Sequence, residues 1–179
     1  FVAEVNAAPA HGSDPTDERR NEHLTGRPSI AVLPFHPLGS TRDLALLGEA
    51  IPHEIIQALS RLRWLAVIAR GSSFRFREDT DMDLMATALA ARYVLSGILE
   101  EDKSKIAVTL ELTESGSREV LWADRLTAPL DATDDLRRRI VTQLVSALET
   151  RIPSREATLA QLNGPEGLDA WANYPLGLR

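Results

Sequence analysis

The chain has 179 residues, no cysteine, and 20 Lys and Arg against 26 Asp and Glu, a formal net charge of −6. Disulfides, thiolate zinc sites and a cysteine nucleophile are thereby excluded, and the acidic balance argues against a fragment that grips a phosphate backbone through a clustered basic face. With 44% hydrophobic and 26% charged residues the length suits one domain plus tails, and no apolar run approaches the roughly 20 residues that span a bilayer.

The first residues, Phe1-Val2-Ala3-Glu4-Val5, lack the basic region and long apolar core of a signal peptide. A start at Phe is expected for a chain that begins inside a longer protein. Residues 6–28 are rich in Ala, Pro, Gly, Asp, Glu and Arg, with few large apolar side chains to bury, and are expected to form a flexible linker. Ser29 to Phe35 is a short apolar β run stopped by a proline, Pro34, the pattern of a buried strand whose end is fixed by the ring. Pro52 is expected at the first position of a helix, where its missing N–H is harmless, with Ile51, Ile55, Ile56, Leu59 and Leu62 on one face. Leu65 to Ala69 predicts a second strand and Asp81 to Ala91 a second helix.

Tyr93 to Leu99, Ile106 to Leu112 and Glu119 to Leu126 predict three more strands. The middle one alternates: Ile106, Val108, Leu110 and Leu112 face a core, while Ala107, Thr109 and Glu111 face the other way. Asp102-Lys103-Ser104 and Ser115-Gly116-Ser117 carry turn chemistry, so these strands are expected to form an antiparallel meander. A last helix is expected over Asp134 to Ile152, with Leu136, Ile140, Leu144 and Leu148 in one row and Pro153 as its stop. Asn163-Gly164-Pro165 then breaks the chain. The predicted order is β-α-β-α-β-β-β-α. It defines an α/β (α+β) fold, a mixed β-sheet of about five strands with helices packed on it.

No candidate motif carries catalytic chemistry. His53-Glu54-Ile55-Ile56-Gln57 has Gln57 where a zinc helix needs its second imidazole, so a polar helix stripe is the reading. His11, His23, His36 and His53 are scattered. Gly39-Ser40-Thr41-Arg42 lacks the lysine and spacing of a phosphate loop. Arg70-Gly71-Ser72-Ser73-Phe74-Arg75-Phe76-Arg77 interleaves cations with rings, as single-strand binders do; a loop with its phenylalanines in the core and its arginines in water is the expected arrangement. Arg137-Arg138-Arg139 reads as the wet side of a helix. No catalytic, cofactor-binding or metal-binding residue is assigned, and no cofactor is expected.

Five blocks, in order, resemble the TolB amino-terminal-like domain of bacterial signalling proteins: Ser29 to Phe35, Ile55 to Leu62, Val67 to Arg70 with Ser72-Ser73-Phe74, Ala91 to Gly97, and Leu121 to Arg125. Pro52 departs from the pattern, standing where relatives tend to carry a helix-capping threonine. The resemblance covers residues 29–152. It implies a domain lying between an effector domain and tetratricopeptide repeats. Residues 1–5 resemble the closing strand of an OmpR-type winged helix, and 153–179 resemble a connector into a truncated tetratricopeptide-like region. The implied protein is a cytoplasmic DNA-binding transcriptional regulator, with this chain as a non-catalytic signal-relay or protein-interaction domain. Its partners are then another protein or other domains of the same chain. Duplex DNA is reached only through the missing upstream domain, and no membrane is involved. The alternatives are an accessory domain of a class III adenylate cyclase and a small-molecule sensor.

Overall fold

The computed structural model describes residues 26–39, 41–76 and 82–162. The expectations for residues 1–25 and 163–179, which include the winged-helix remnant and nearly all of the linker, lie outside them.

Of the apolar opening run expected as one strand, only Ser29–Val32 is strand; Leu33-Pro34-Phe35 breaks it, and a second short strand follows at His36. Strand β1 (Ser29–Val32) is buried throughout, and β2 (His36–Leu38) follows. Both lie parallel to the same long strand, β4 (Tyr93–Asp102): Ile30 to Val32 pair with Tyr93 to Leu95, and His36 to Leu38 with Ile98 to Glu100.

Helix α1 spans Arg42–Leu59, with Pro52 inside it. The expected start at Pro52 is thus corrected by ten residues. A proline in a helix interior removes the bond to the carbonyl four residues back, which here belongs to Gly48. That carbonyl instead accepts a hydrogen bond from the Phe35 N–H at 2.8 Å, so the orphan acceptor is satisfied by the β1–β2 break. A Cβ on Gly48 would lie 2.6 Å from the Phe35 carbonyl oxygen, which explains why this helix interior carries glycine.

Strand β3 (Ala66–Val67) is shorter than expected and pairs with the outer side of β1. The Ala66 N–H donates to the Pro28 carbonyl at 2.9 Å, so the sheet begins within the last residue expected in the linker. Arg70–Ser73 forms a single turn of helix, α2, where a loop was expected. Helix α3 (Met82–Leu89) occupies the expected place and gives way to Ala90 in the left-handed region at φ 49°.

Strand β4, β5 (Lys105–Glu114) and β6 (Val120–Pro129) form the expected antiparallel meander. Each runs past its predicted C-terminal end by two or three residues, while β6 starts one residue later than expected, and the first hairpin closes at Asp102↔Lys105 with Lys103 at φ 55°. The sheet has six strands, in the order β3-β1-β4-β5-β6, with β2 beside β4. Ile106, Val108, Leu110 and Leu112 are fully buried on the face covered by α1 and by the last helix, as the alternation predicts. A second, smaller core on the other face joins Ala31, Leu33 and Val94 to Met85 and Leu89 of α3.

After a 3-10 turn (Leu130–Ala132), helix α4 runs over Thr133–Leu162. Leu136, Ile140, Leu144, Leu148 and Ile152 are fully buried along one row. Pro153 lies inside this helix and does not end it. The physical reason is tertiary: beyond the proline, polar contacts with β4 and β5 hold the helix in place.

Candidate functional site

The sequence motifs resolve into structural roles. His53 Nε2 and Gln57 Nε2 lie 3.1 Å apart on α1, and His53 Nδ1 is buried without a hydrogen-bond partner among the described residues. Among the described residues no group of three or more His, Asp or Glu side chains could hold a metal ion. Arg70 stacks 4.7 Å over the Phe74 ring and lies 3.3 Å from Glu49, so this cation is engaged by its own fold. Phe76 packs against the smaller core.

Arg137 departs from the expected wet helix face. It is half-buried and ties α4 to α1 through Glu54, with Arg137 Nε donating to Glu54 Oε2 at 3.2 Å. Arg138, by contrast, is exposed and meets Asp135 one turn away on its own helix.

Shallow depressions among the described residues include these two. One, of about 570 Å³, lies between β6 and α4 and is lined by Trp122, Asp124, Thr142, Ser146, Thr150 and Arg151. The other, of about 390 Å³, lies at the start of α1, with Leu44, Leu47, Ile106 and Leu130 beside Asp43 and Glu101. The first is polar but shallow and the second mostly apolar, so neither has the concave, largely apolar form with a few converging polar groups of a small-molecule pocket.

The most concentrated chemistry lies where α4 crosses the start of β4 and the end of β5. Tyr93, at the first position of β4, donates its hydroxyl proton to Glu156 Oε1. Arg92 Nη1 lies 3.0 Å from Glu156 Oε2. Arg155 reaches the other way and donates to Glu114 Oε2 through Nε at 3.1 Å and Nη2 at 2.6 Å. The same Nη2 lies 2.9 Å from Glu119 Oε2, and Ser117 donates to Glu114 Oε2 at 2.6 Å. Glu114 and Glu156 are both buried. A buried carboxylate without a cation is strongly unfavourable; here each has one.

The ionisation follows from these neighbours. Burial pushes the Glu114 carboxyl up, but hydrogen bonds from Arg155 and Ser117 and the charges of Arg155 and Arg92 outweigh it, holding it below the usual carboxylate range. The Arg155 guanidinium is pushed up, chiefly by its hydrogen bond to Glu114. Burial and the Glu156 carboxylate push the Tyr93 hydroxyl up, so it stays a proton donor. Every group here has a protein partner, and the arrangement clamps α4 to β4, to the end of β5 and to the turn that follows it. Sequence reasoning missed it because its members are spread from Arg92 to Glu156; Arg155-Glu156 just past Pro153 was the available signal.

Residues 26–147 match the model of the HilA/YgeH-like transcriptional regulator, second domain. The chain belongs to this family. The HilA/YgeH-like match takes in Arg92, Tyr93 and Glu114 and stops before the α4 side of the clamp. Over 150 residues, 82% of this chain, it is also 29% identical to a Rhizobium meliloti (strain 1021) protein named "Putative adenylate cyclase 3". It spans about a quarter of that relative's length, 26%. Among solved structures, a PelC dodecamer from Paraburkholderia phytofirmans is 19% identical, with a TM-score of 0.49 over 72% of this chain and 91% of that one. TolB from Acinetobacter baumannii is 16% identical, with a TM-score of 0.48 over 68% of this chain and 28% of that one. The LpoB C-terminal domain from Salmonella enterica is 14% identical, with a TM-score of 0.44 over 61% and 91%. None of the three bears on function. No described helix is long and apolar enough to cross a membrane.

Proposed function

We propose that this chain is the signal-relay or protein-contact domain of a cytoplasmic DNA-binding transcriptional regulator, and that it performs no catalysis itself. The observation that carries this reading is the match of residues 26–147 to the second domain of a transcriptional regulator. The ion pairs of the site support it, since each acid faces a cation. In this reading the partners are another protein or neighbouring domains of the same chain. DNA is read by an upstream domain. Specific readout needs an element set in a groove together with several phosphate contacts, and a net charge of −6 does not supply them.

A gel-shift comparison tests this. The 179-residue chain is expected not to shift duplex DNA, and the full-length parent is expected to shift its own promoter region. Sequence-dependent, nanomolar binding by the chain alone would sink the reading. The Rhizobium relative favours a second one, an accessory domain of a class III adenylate cyclase. Cyclic AMP formation by the full-length parent, with no DNA shift, would select it.

A further inference from the structure

The way α4 is anchored changes at Pro153. Before it, Leu136, Ile140, Leu144, Leu148 and Ile152 fasten the helix to the sheet by apolar burial. After it, within residues 153–162, the one buried residue is Glu156, and Leu162 is 75% exposed. The last turns therefore rest chiefly on ion pairs and hydrogen bonds, with Leu159 and Ala160 only half-buried and no apolar side chain fully buried. The change coincides with the proline, which withholds one helical N–H and crowds the carbonyl four residues back. A helix is weakest at such a point.

The groups that hold these last turns belong to two places. Tyr93 and Arg92 lie at the start of β4 and grip Glu156. Glu114, Ser117 and Glu119 lie at the end of β5 and in the turn to β6, and they grip Arg155. That turn is itself narrow, with Arg118 at φ 58° and its N–H donating to the Glu114 carbonyl at 2.8 Å. The clasp is partly open to water: Glu119 of the turn is 56% exposed and Arg92, just before β4, is 42% exposed. A molecule that approaches the turn thus meets the same carboxylates that hold Arg155.

We infer that residues 154–162 form a detachable arm, hinged at Pro153 and held by an ionic clasp to the β5–β6 turn. Its release is the change this domain passes to the chain beyond it. The inference deepens the relay reading above and rests on that reading only for what the release controls. Because two sites share one clasp, the coupling is reciprocal: a change at the turn frees the arm, and a stiffened arm steadies the turn. The exposed member of the clasp makes the arm salt-sensitive: Glu119 is 56% exposed and its pair with Arg155 is screened by salt, whereas the pairs of the buried Glu114 and Glu156 and the apolar anchoring of the preceding turns are screened little or not at all.

Amide hydrogen exchange on the 179-residue chain tests the arm without reference to DNA or to the parent's activity. The Ser117→Ala/Glu119→Ala double variant, altered only in the turn, is expected to speed exchange over residues 156–162 by about tenfold and to leave residues 136–150 unchanged. Arg155→Ala is expected to do the same, and 1 M salt to reproduce the effect in the wild-type chain. Pro153→Ala, which restores the missing N–H, is expected to slow exchange in the arm and in residues 114–119. Equal acceleration across 136–150 and 156–162, unfolding of the whole domain on loss of the clasp, or an arm indifferent to the turn would each overturn the inference. A parent that binds no DNA would refute the regulator reading and leave these exchange results standing.

Discussion

Replacing Gly48 by alanine sets two effects against each other, and the structure decides the sign. In an exposed helix interior Gly→Ala stabilises by about 1 kcal/mol, because alanine has less backbone freedom to lose. At Gly48 the new Cβ would stand 2.6 Å from the Phe35 carbonyl oxygen. That atom is backbone, and Phe35 is itself held by its N–H bond to the Gly48 carbonyl at 2.8 Å. Relief requires α1 and the β1–β2 break to separate. Overpacking of this kind costs about 1–3 kcal/mol, and a stretched hydrogen bond adds about 1 kcal/mol. Gly48→Ala is therefore expected to destabilise by about 1–3 kcal/mol net of the propensity gain, a fall in Tm of about 3–5 °C per kcal/mol for a domain of this size. Urea unfolding followed by circular dichroism measures it, with Gly71→Ala as the control. Gly71 lies in α2 with nothing within 4 Å of its added Cβ, so that variant is expected to be neutral or slightly stabilising. A Gly48→Ala chain as stable as the wild type would refute the close approach of Phe35 to α1.

Leu110→Ala is expected to cost about 2–5 kcal/mol, because Leu110 is fully buried among the side chains under α1 and α4. Thr109→Ala, on the half-open face, is expected to stay within about 1 kcal/mol, and equal losses in urea melts would refute the facing of β5. The Glu114 carboxyl has a folded pKa below its ordinary 4.5, so its stabilising effect is present above that value and is lost as pH falls through the folded one. Urea midpoints for the wild type and Glu114→Gln are expected to differ at pH 7 and to draw together as the pH falls below 4.5; a gap that does not narrow between pH 7 and pH 3 would assign the effect to shape and not to charge.

What sequence alone determined were the features with a local cause. The period of two in Ile106, Val108, Leu110 and Leu112 specifies which face of β5 is buried, because successive side chains of a strand point to opposite faces. The turn residues Asp102-Lys103-Ser104 specify a hairpin, and the row Leu136, Ile140, Leu144 and Leu148 specifies the apolar stripe of α4. Both prolines misled for one reason. Pro52 and Pro153 are helix breakers by local chemistry, yet each lies inside a helix. The carbonyl freed by Pro52 is taken by Phe35, thirteen residues before Gly48 in the chain, and the turns after Pro153 are held by Arg92, Tyr93 and Glu114. The placement of β1 between β3 and β4, the second strand β2 on the same edge of β4, and the clasp itself were likewise decided by tertiary structure. Periodicity and propensity act over a few residues, whereas hydrogen-bond acceptors and counter-charges are supplied by whichever distant segment the packed chain brings alongside.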